Sequence, residues 1–313
     1  MAGIGIVIVT YNSGLEIGAC LDAALASGAE VVVVDNASTD GTIAEIARRG
    51  AKLIANSDNR GFATAANQGF AVLNCDYILL LNPDAVIQSS LEPLREACKL
   101  DCAAGAGGCL LDAKGHPQIG FMVRDLPRAR DLILEAVVLN RLFPKNRANR
   151  KYRALDLDYS RRQNAAQPAG AFLMVRRAVW KELGGFDEAY FPLWFEDVDF
   201  CCRAADCGYT FYFVPQAVAK HTGAHSISSI RVELRQYYWY RNLLRYSARH
   251  FPTIAFRAIC LAVVTGSLMR GTAGALAERS LQPLAAFASV MRCAGRSLIF
   301  GWRDEGVSPG IGP

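Results

Sequence analysis

With 313 residues, 52% of them hydrophobic, and a formal net charge of +5, the chain has ample material for a buried core, which excludes a disordered or low-complexity protein. Ten cysteines scatter irregularly, several inside helix-like or strand-like runs, so they read as reduced thiols in a cytosolic compartment and not as a disulfide framework. The charge is uneven: residues 231–303 carry eleven Arg, no Lys and only Glu233 and Glu278, which leaves the rest of the chain net acidic.

Gly3 to Thr10 is too short for a secretion leader and runs into a polar turn, so export is not expected. In chain order, Ile4 to Thr10 reads as a buried strand, Leu15 to Ala26 as a helix, Val31 to Asp35 as a strand and Thr42 to Arg49 as a helix. Lys52 to Ala55 follows as a strand, Phe62 to Leu73 as a helix and Tyr77 to Leu81 as a strand. Strands alternating with helices predict βαβ units and a mostly parallel, Rossmann-like α/β sheet, with ligands beyond the carboxyl ends of its strands. From Leu100 to about Gln167 the pattern weakens, and the basic stretch Arg141 to Arg153 is expected to be a mobile loop or an acceptor-facing insertion. It sharpens again into a strand (Phe172 to Arg176), a short helix (Ala178 to Leu183), a Gly-Gly turn, and a helix from about Asp197 to Asp206. Two short strands, Thr210 to Val214 and Ala217 to His221, close a catalytic domain spanning 1–225.

Residues 226–313 read as a helical, basic appendage. A nearly all-Arg tail mixed with aromatics suits an anionic surface, such as phospholipid headgroups or a lipid-linked phosphate acceptor. It carries no nucleic-acid-binding motif, so nucleic acid is not an expected partner. Ile254 to Met269 is apolar but contains Arg257 and stops at Arg270, too short for a membrane span, which favours an interfacial helix over a bundle packed on the first domain, and with it a peripheral position on the inner face of the cell membrane.

The polar residues worth attention lie where the strands end. Thr10, Tyr11 and Asn12 follow the first strand; Asp35 and Asn36 end the second, before a helix cap at Ser38-Thr39-Asp40-Gly41. Asp35 precedes that cap and is not needed for it, which leaves it available to a base or ribose. Arg60 and Gly61 stand at a helix start where a phosphate would be welcome. Asn82-Pro83-Asp84 follows Tyr-Ile-Leu-Leu-Leu, so a carboxylate emerges from an apolar strand; it either binds a hard cation or caps a helix near Ser89. Glu196, Asp197 and Asp199 put three acids in four residues, more than a helix N-terminus requires, and one of them aimed into a crevice would serve as a general base. His221 could complete a metal's shell. His225 is set aside because Gly223 interrupts a helix through both histidines, and Cys98 and Cys102, with no partner histidine, read as packing residues.

Together these segments resemble glycosyltransferase family two, in particular its rhamnosyltransferase-like bacterial members. The resemblance rests on Val9-Thr10-Tyr11-Asn12, Asp35 to Gly41, Asn59-Arg60-Gly61-Phe62 with Asn67, Leu81-Asn82-Pro83-Asp84, Gly184-Gly185-Phe186-Asp187-Glu188, Phe195-Glu196-Asp197-Val198-Asp199 and His221, in the family's order over about residues 4–245. It implies an A-type glycosyltransferase fold and inverting transfer from a dTDP- or UDP-linked sugar to a hydroxyl of a glycan or lipid-linked acceptor. On that basis Thr10, Asn12, Asp35 and Asn36 hold the nucleoside, Arg60 meets the base or diphosphate, and Asp84 with His221 binds Mg2+ or Mn2+. Asp197 is the implied base, with Glu196 as the alternative. The family often has two or three acids where this chain has Asn82-Pro83-Asp84, which bears on metal affinity. Two rivals remain: a sugar-phosphate nucleotidyltransferase, which would need a Gly-rich triphosphate loop that is missing near Thr10, and a catalytically silent nucleotide-sugar-binding subunit, which has no use for Glu196, Asp197 and His221 together.

Overall fold

A computed structural model describes residues 3–223 and 231–304. His225 and the expected boundary at 225/226 lie outside the described residues. In chain order the elements are β1 (Ile4–Thr10), α1 (Ile17–Ala26), β2 (Glu30–Asp35), α2 (Thr42–Arg49), β3 (Lys52–Ala55), α3 (Phe62–Val72), β4 (Tyr77–Leu81), β5 (Ala85–Ile87), α4 (Glu92–Cys98), β6 (Ala103–Leu111) and β7 (Val123–Arg124). They continue as α5 (Ala129–Ala136), α6 (Leu139–Leu142), α7 (Arg147–Tyr152), β8 (Gln163–Ala165), β9 (Gln167–Pro168), β10 (Phe172–Arg176), α8 (Arg177–Glu182), α9 (Glu196–Asp206), β11 (Thr210–His221), α10 (Val232–His250), α11 (Thr253–Glu278) and α12 (Gln282–Phe300). The chain divides into two compact units: Met1–Leu126 with Arg153–Pro192 and Glu196–Ser226, and Pro127–Tyr152 with Leu193–Phe195 and Ile227–Pro313.

The first unit is built on one sheet in the order β3-β2-β1-β4-β10-β6-β11-β5, with β8 also on β11. β3, β2, β1 and β4 run parallel, β10 runs against both β4 and β6, and β11 returns parallel to β6. The strands are apolar at nearly every position because both faces are covered. Ile6 and Ile8 of β1 point into a core with Ile17, Leu21 and Ile46 from α1 and α2, while Val7 and Val9 point the other way, onto Phe70 of α3 and Phe200 of α9. Gly69 lets α3 lie close, since a Cβ there would meet Val7 Cγ1 at 2.5 Å. β11 is one strand with an irregularity between Val214 and Val218 and not two strands, because Pro215 breaks the ladder locally without ending the pairing to β6. Leu15, expected to open the first helix, is 94% exposed, and the helix begins at Ile17, the first buried position of its face.

The second unit is helical and is more than a terminal tail, since α5 to α7 belong to it. α11 packs on α5 and α12, and α12 on α10. Gly266 of α11 sits against the carbonyl of Ala136 at the end of α5, and Arg270 donates to that same carbonyl at 2.9 Å. The expectation that this apolar segment is too short to span a membrane fails on length: the helix continues past Arg270 to Glu278, 26 residues long and apolar enough for a crossing, with 44% of its most apolar window buried within the protein. Arg270 does not end it because its guanidinium is absorbed locally, lying 5.2 Å from the Tyr240 ring and 5.3 Å from the Phe287 ring.

Candidate active site

Parallel β1, β2 and β4 end on one side of the sheet, where the residues singled out at their carboxyl ends gather. Asp35 is fully buried and is already a brace: Oδ1 accepts from Thr10 Oγ1 at 2.8 Å and from Ser38 Oγ at 2.5 Å, while Oδ2 accepts from Ser38 N at 2.8 Å. Helix capping falls to Asp40, whose carboxylate takes Thr42 N at 3.0 Å and Gly14 N at 2.9 Å. Asn12, with φ at +50°, ties the first loop to the second: its amide donates to Ser38 Oγ and its side chain accepts from Thr39 N, both at 2.8 Å. Tyr11 beside it is partly exposed. Asn36 is buried in an amide ladder that no sequence signal revealed, donating to Gly61 O at 3.1 Å and accepting from Asn56, which in turn exchanges bonds with Gln68.

At the start of α3 the structure departs from expectation. The first helical amide, Phe62 N, is bonded to Pro192 O at 2.7 Å, so a protein carbonyl occupies the position proposed for a phosphate. Gly61 is required by that contact: its φ is +84° and a Cβ would lie 2.9 Å from the Phe191 ring. Arg60 extends outward, its side chain 47% exposed and 3.6 Å from Asp58. Asn67 latches the Gly-Gly turn, accepting from Phe186 N and Trp180 Nε1 and donating to Phe186 O and Glu188.

Beyond β4, Asn82 and Asp84 sit in a tight turn closed by Ala85 N on Asn82 O at 3.0 Å, after which β5 starts at once. The helix expected near Ser89 starts at Glu92, and Ser90 Oγ accepts from its amide, so Asp84 caps nothing. β5 pairs with the end of β11, His221 opposite Ala85, which brings Asp84 Oδ1 within 3.4 Å of His221 Nε2. Asn82 Nδ2 stands at 3.4 Å from the same nitrogen. Sequence reasoning missed Gln118, an isolated residue in a weakly patterned stretch. Its amide nitrogen donates to His221 O at 2.8 Å, which turns its carbonyl toward His221 Nδ1 at 3.0 Å. Nδ1 must therefore carry a proton, and Nε2 faces Asp84 with a lone pair or a second proton. Phe121 stacks on the ring at 5.3 Å and holds its plane. Burial pushes the Asp84 carboxyl up, but the hydrogen bond and charge of His221, then the amides of Asp84 and Gly223, hold it below the ordinary aspartate value. With the imidazole neutral, Asp84 and His221 Nε2 form a donor pair that fits Mn2+ or Mg2+, with a phosphorylated substrate supplying the remaining oxygens.

A backbone path leads from this turn to the acids of α9. Asn82 N bonds Ala171 O at 3.0 Å, and the preceding Gly170 N bonds Asp197 Oδ2 at 3.1 Å. Gln167 Nε2, also missed from sequence, reaches the same oxygen at 3.2 Å, and Val198 N bonds Oδ1 at 2.8 Å. Desolvation raises the Asp197 carboxyl above its ordinary value, against the opposing amides of Gly170 and Val198 and the charge of Arg124. The three acids thus separate by role. Asp199 is fully buried in an ion pair with Arg203 at 2.7 Å, and Arg203 also grips the carbonyls of Leu183 and Gly185. Glu196 is buried at the helix start, while Asp197 is partly exposed and has a raised proton affinity.

Comparison with known proteins places the chain in a family. Residues 5–184 match the model of glycosyl transferase family 2, and residues 146–300 that of glycosyl transferase family group 2. An N-acetylglucosaminyl-diphospho-decaprenol L-rhamnosyltransferase of Mycobacterium tuberculosis is 32% identical over 241 residues, covering 71% of this chain and 76% of that protein. Rhamnosyltransferase WbbL of Escherichia coli is 28% identical over 178 residues, 56% of this chain and 62% of its own. In fold, a mannosyltransferase of Pyrobaculum calidifontis, solved with GDP-Man and Mn2+, superposes with a TM-score of 0.51 at 18% identity, covering 96% of this chain and 88% of that one.

Proposed function

The chain belongs to glycosyl transferase family 2, and from that premise we propose that it moves rhamnose, or a related hexose, from a dTDP- or UDP-linked donor to a hydroxyl of a lipid-linked glycan acceptor, with inversion, in the synthesis of a cell-surface polysaccharide. The observation that carries this reading is Asp197: a carboxylate with raised proton affinity, held by the Gly170 amide at the strand-end edge that also bears Asp84. In the transfer, Asp197 takes the proton of the acceptor hydroxyl as its oxygen attacks the anomeric carbon, and the bond to the nucleoside diphosphate breaks on the opposite face of the sugar. Gly170 and Gln167 orient the carboxylate so that a free lone pair faces the acceptor. Thr10, Asn12, Asp35 and Asn36 frame the nucleoside, and Arg60, half exposed, meets the diphosphate or base from solvent. Asp84 and His221 would hold Mn2+ or Mg2+, which when bound supplies charge neutralisation to the leaving diphosphate.

An N-acetylglucosaminyl-diphospho-decaprenol acceptor belongs to the named mycobacterial relative; for this chain a lipid-borne acceptor and a peripheral position on the inner membrane face are supported by the arginine-rich helical unit. The experiment is a panel of sugar nucleotides assayed with Mn2+ or Mg2+ for donor hydrolysis and for transfer to polyprenyl-diphosphate glycans. Turnover of a dTDP- or UDP-sugar that Asp197→Asn abolishes is the expected result. Binding without turnover of any donor would make the chain a silent binding subunit, and no binding at all would remove the donor class.

A further inference from the structure

One part of the second unit lies apart from the residues placed at the candidate site above. From the end of α6 toward α7 the chain forms a knuckle in which Arg141, Leu142, Phe143, Pro144 and Lys145 are all exposed, Leu142 and Phe143 by 63% each. Single exposed apolar side chains are ordinary. The framework beneath these two is not. Asn140 and Asn149 are buried to 5% and 3% exposure. Asn146 Nδ2 donates to Asn140 Oδ1 at 3.0 Å and to Phe143 O at 2.8 Å, while Asn149 Nδ2 donates to Pro144 O at 2.7 Å and Asn149 N to Asn146 Oδ1 at 2.9 Å. Asn140 Nδ2 is anchored in turn on Glu135 at 3.1 Å. Three asparagines therefore fix the backbone of the tip from below, and ordering a loop costs conformational entropy that this tip does not recover by burying its own side chains.

The charge around the tip indicates what covers it. Residues 136–155 contain six basic side chains and no acid, and Arg141, Lys145, Arg147, Arg150 and Lys151 are exposed. A phosphate ligand alone would have no use for Leu142 and Phe143, and an apolar protein partner would have no use for the cations. We propose that this knuckle docks on an anionic bilayer surface, Leu142 and Phe143 entering the boundary between headgroups and acyl chains while the surrounding cations meet lipid phosphates. The inference rests on the peripheral-membrane reading above but on different residues, and it gives the 127–152 insertion a membrane-facing task separate from that of the C-terminal helices.

Flotation of the full chain with phosphatidylglycerol-containing vesicles, against phosphatidylcholine vesicles alone, tests it. The wild type floats with the anionic vesicles. Leu142→Ser/Phe143→Ser lowers its partition about tenfold or more, and Arg141→Gln/Lys145→Gln lowers it roughly fivefold per charge, an effect that salt erases in the wild type. Both variants keep the wild-type thermal unfolding, since the substituted side chains are exposed. A tail variant, Ile254→Ser/Leu261→Ser, separates the two contacts. If the wild type floats and the Leu142/Phe143 variant floats equally well, the knuckle proposal is overturned and the tail reading stands. A wild type that does not float overturns both. A variant that changes oligomeric state but not vesicle partition assigns the tip to a second copy of the chain and likewise overturns the proposal.

Discussion

Asp84 and Asp197 lie at the same edge of one sheet, both withdrawn from water, and their carboxyls shift in opposite directions. Burial raises each. At Asp84 it is outweighed by an imidazole 3.4 Å away, oriented by Gln118, so the group stays ionised and suits a cation. At Asp197 the nearest donors are neutral amides and Arg124 acts at longer range, so desolvation wins and the group retains affinity for a proton. Two identical side chains thus shift in opposite directions because a histidine faces one of them and not the other.

That comparison can be broken most sharply at Asp197. Asp197→Asn removes the proton acceptor while keeping most of the local bonding, and kcat should fall by about 10²–10⁴ with little change in donor affinity, read by steady-state transfer and by nucleotide-sugar titration. An unchanged kcat would take the base role away from Asp197 and leave Glu196 as the candidate.

The next effect lies on the other acid. Asp84→Asn and His221→Ala should weaken Mn2+ binding to a similar degree, measured by electron paramagnetic resonance in the presence of nucleoside diphosphate, because each supplies half of the protein's donor pair. A His221→Ala variant that binds Mn2+ as the wild type does would separate the histidine from the metal. Gln118→Leu should follow with a loss of roughly 10–100-fold in Mn2+ affinity, since the imidazole is no longer held in one tautomer. Imidazole nitrogen chemical shifts in the metal-free protein would report that loss of orientation directly; shifts identical to wild type would reduce Gln118 to a packing residue.

The smallest predicted effect concerns pH. Asp197 works as a base only when deprotonated, and its folded-state pKa is raised, so the activity it supports is present above that pKa and lost as pH falls through it. Arg124 opposes that rise. Arg124→Gln should therefore move the acid limb of kcat/KM to higher pH, while Asp84, held below the ordinary aspartate value, stays ionised across the same range. A limb that moves to lower pH, or does not move, would assign it to another group.

The parallel half of the sheet was legible because its strands are runs of β-branched and apolar residues bounded by polar turns; Lys52–Ala55 and Tyr77–Leu81 fall where periodicity and turn signals put them. β6 was not legible, since Ala-Ala-Gly-Ala-Gly-Gly carries almost no strand preference. Its small residues are selected by neighbours remote in sequence: a Cβ on Gly108 would meet the Phe172 ring at 2.3 Å, and one on Gly107 would meet Pro168 at 2.5 Å. The helical unit was only partly legible, because the far side of Arg270 looks like a chain end until Tyr240 and Phe287 are seen to receive the guanidinium.

The linear order of residues was enough to determine the α/β class and the family, because strand-end motifs are local and each names its own chemistry. Asp84 and Asp197 were both visible as acids in such motifs. What tertiary structure alone decided was how they differ: Gln118, 103 residues from His221 in sequence, orients the ring opposite Asp84, while Gly170 and Gln167 hold Asp197 where partial desolvation raises its carboxyl. A carboxylate's proton affinity is set by solvation and by charges a few ångströms away, and only the folded chain brings those neighbours into range.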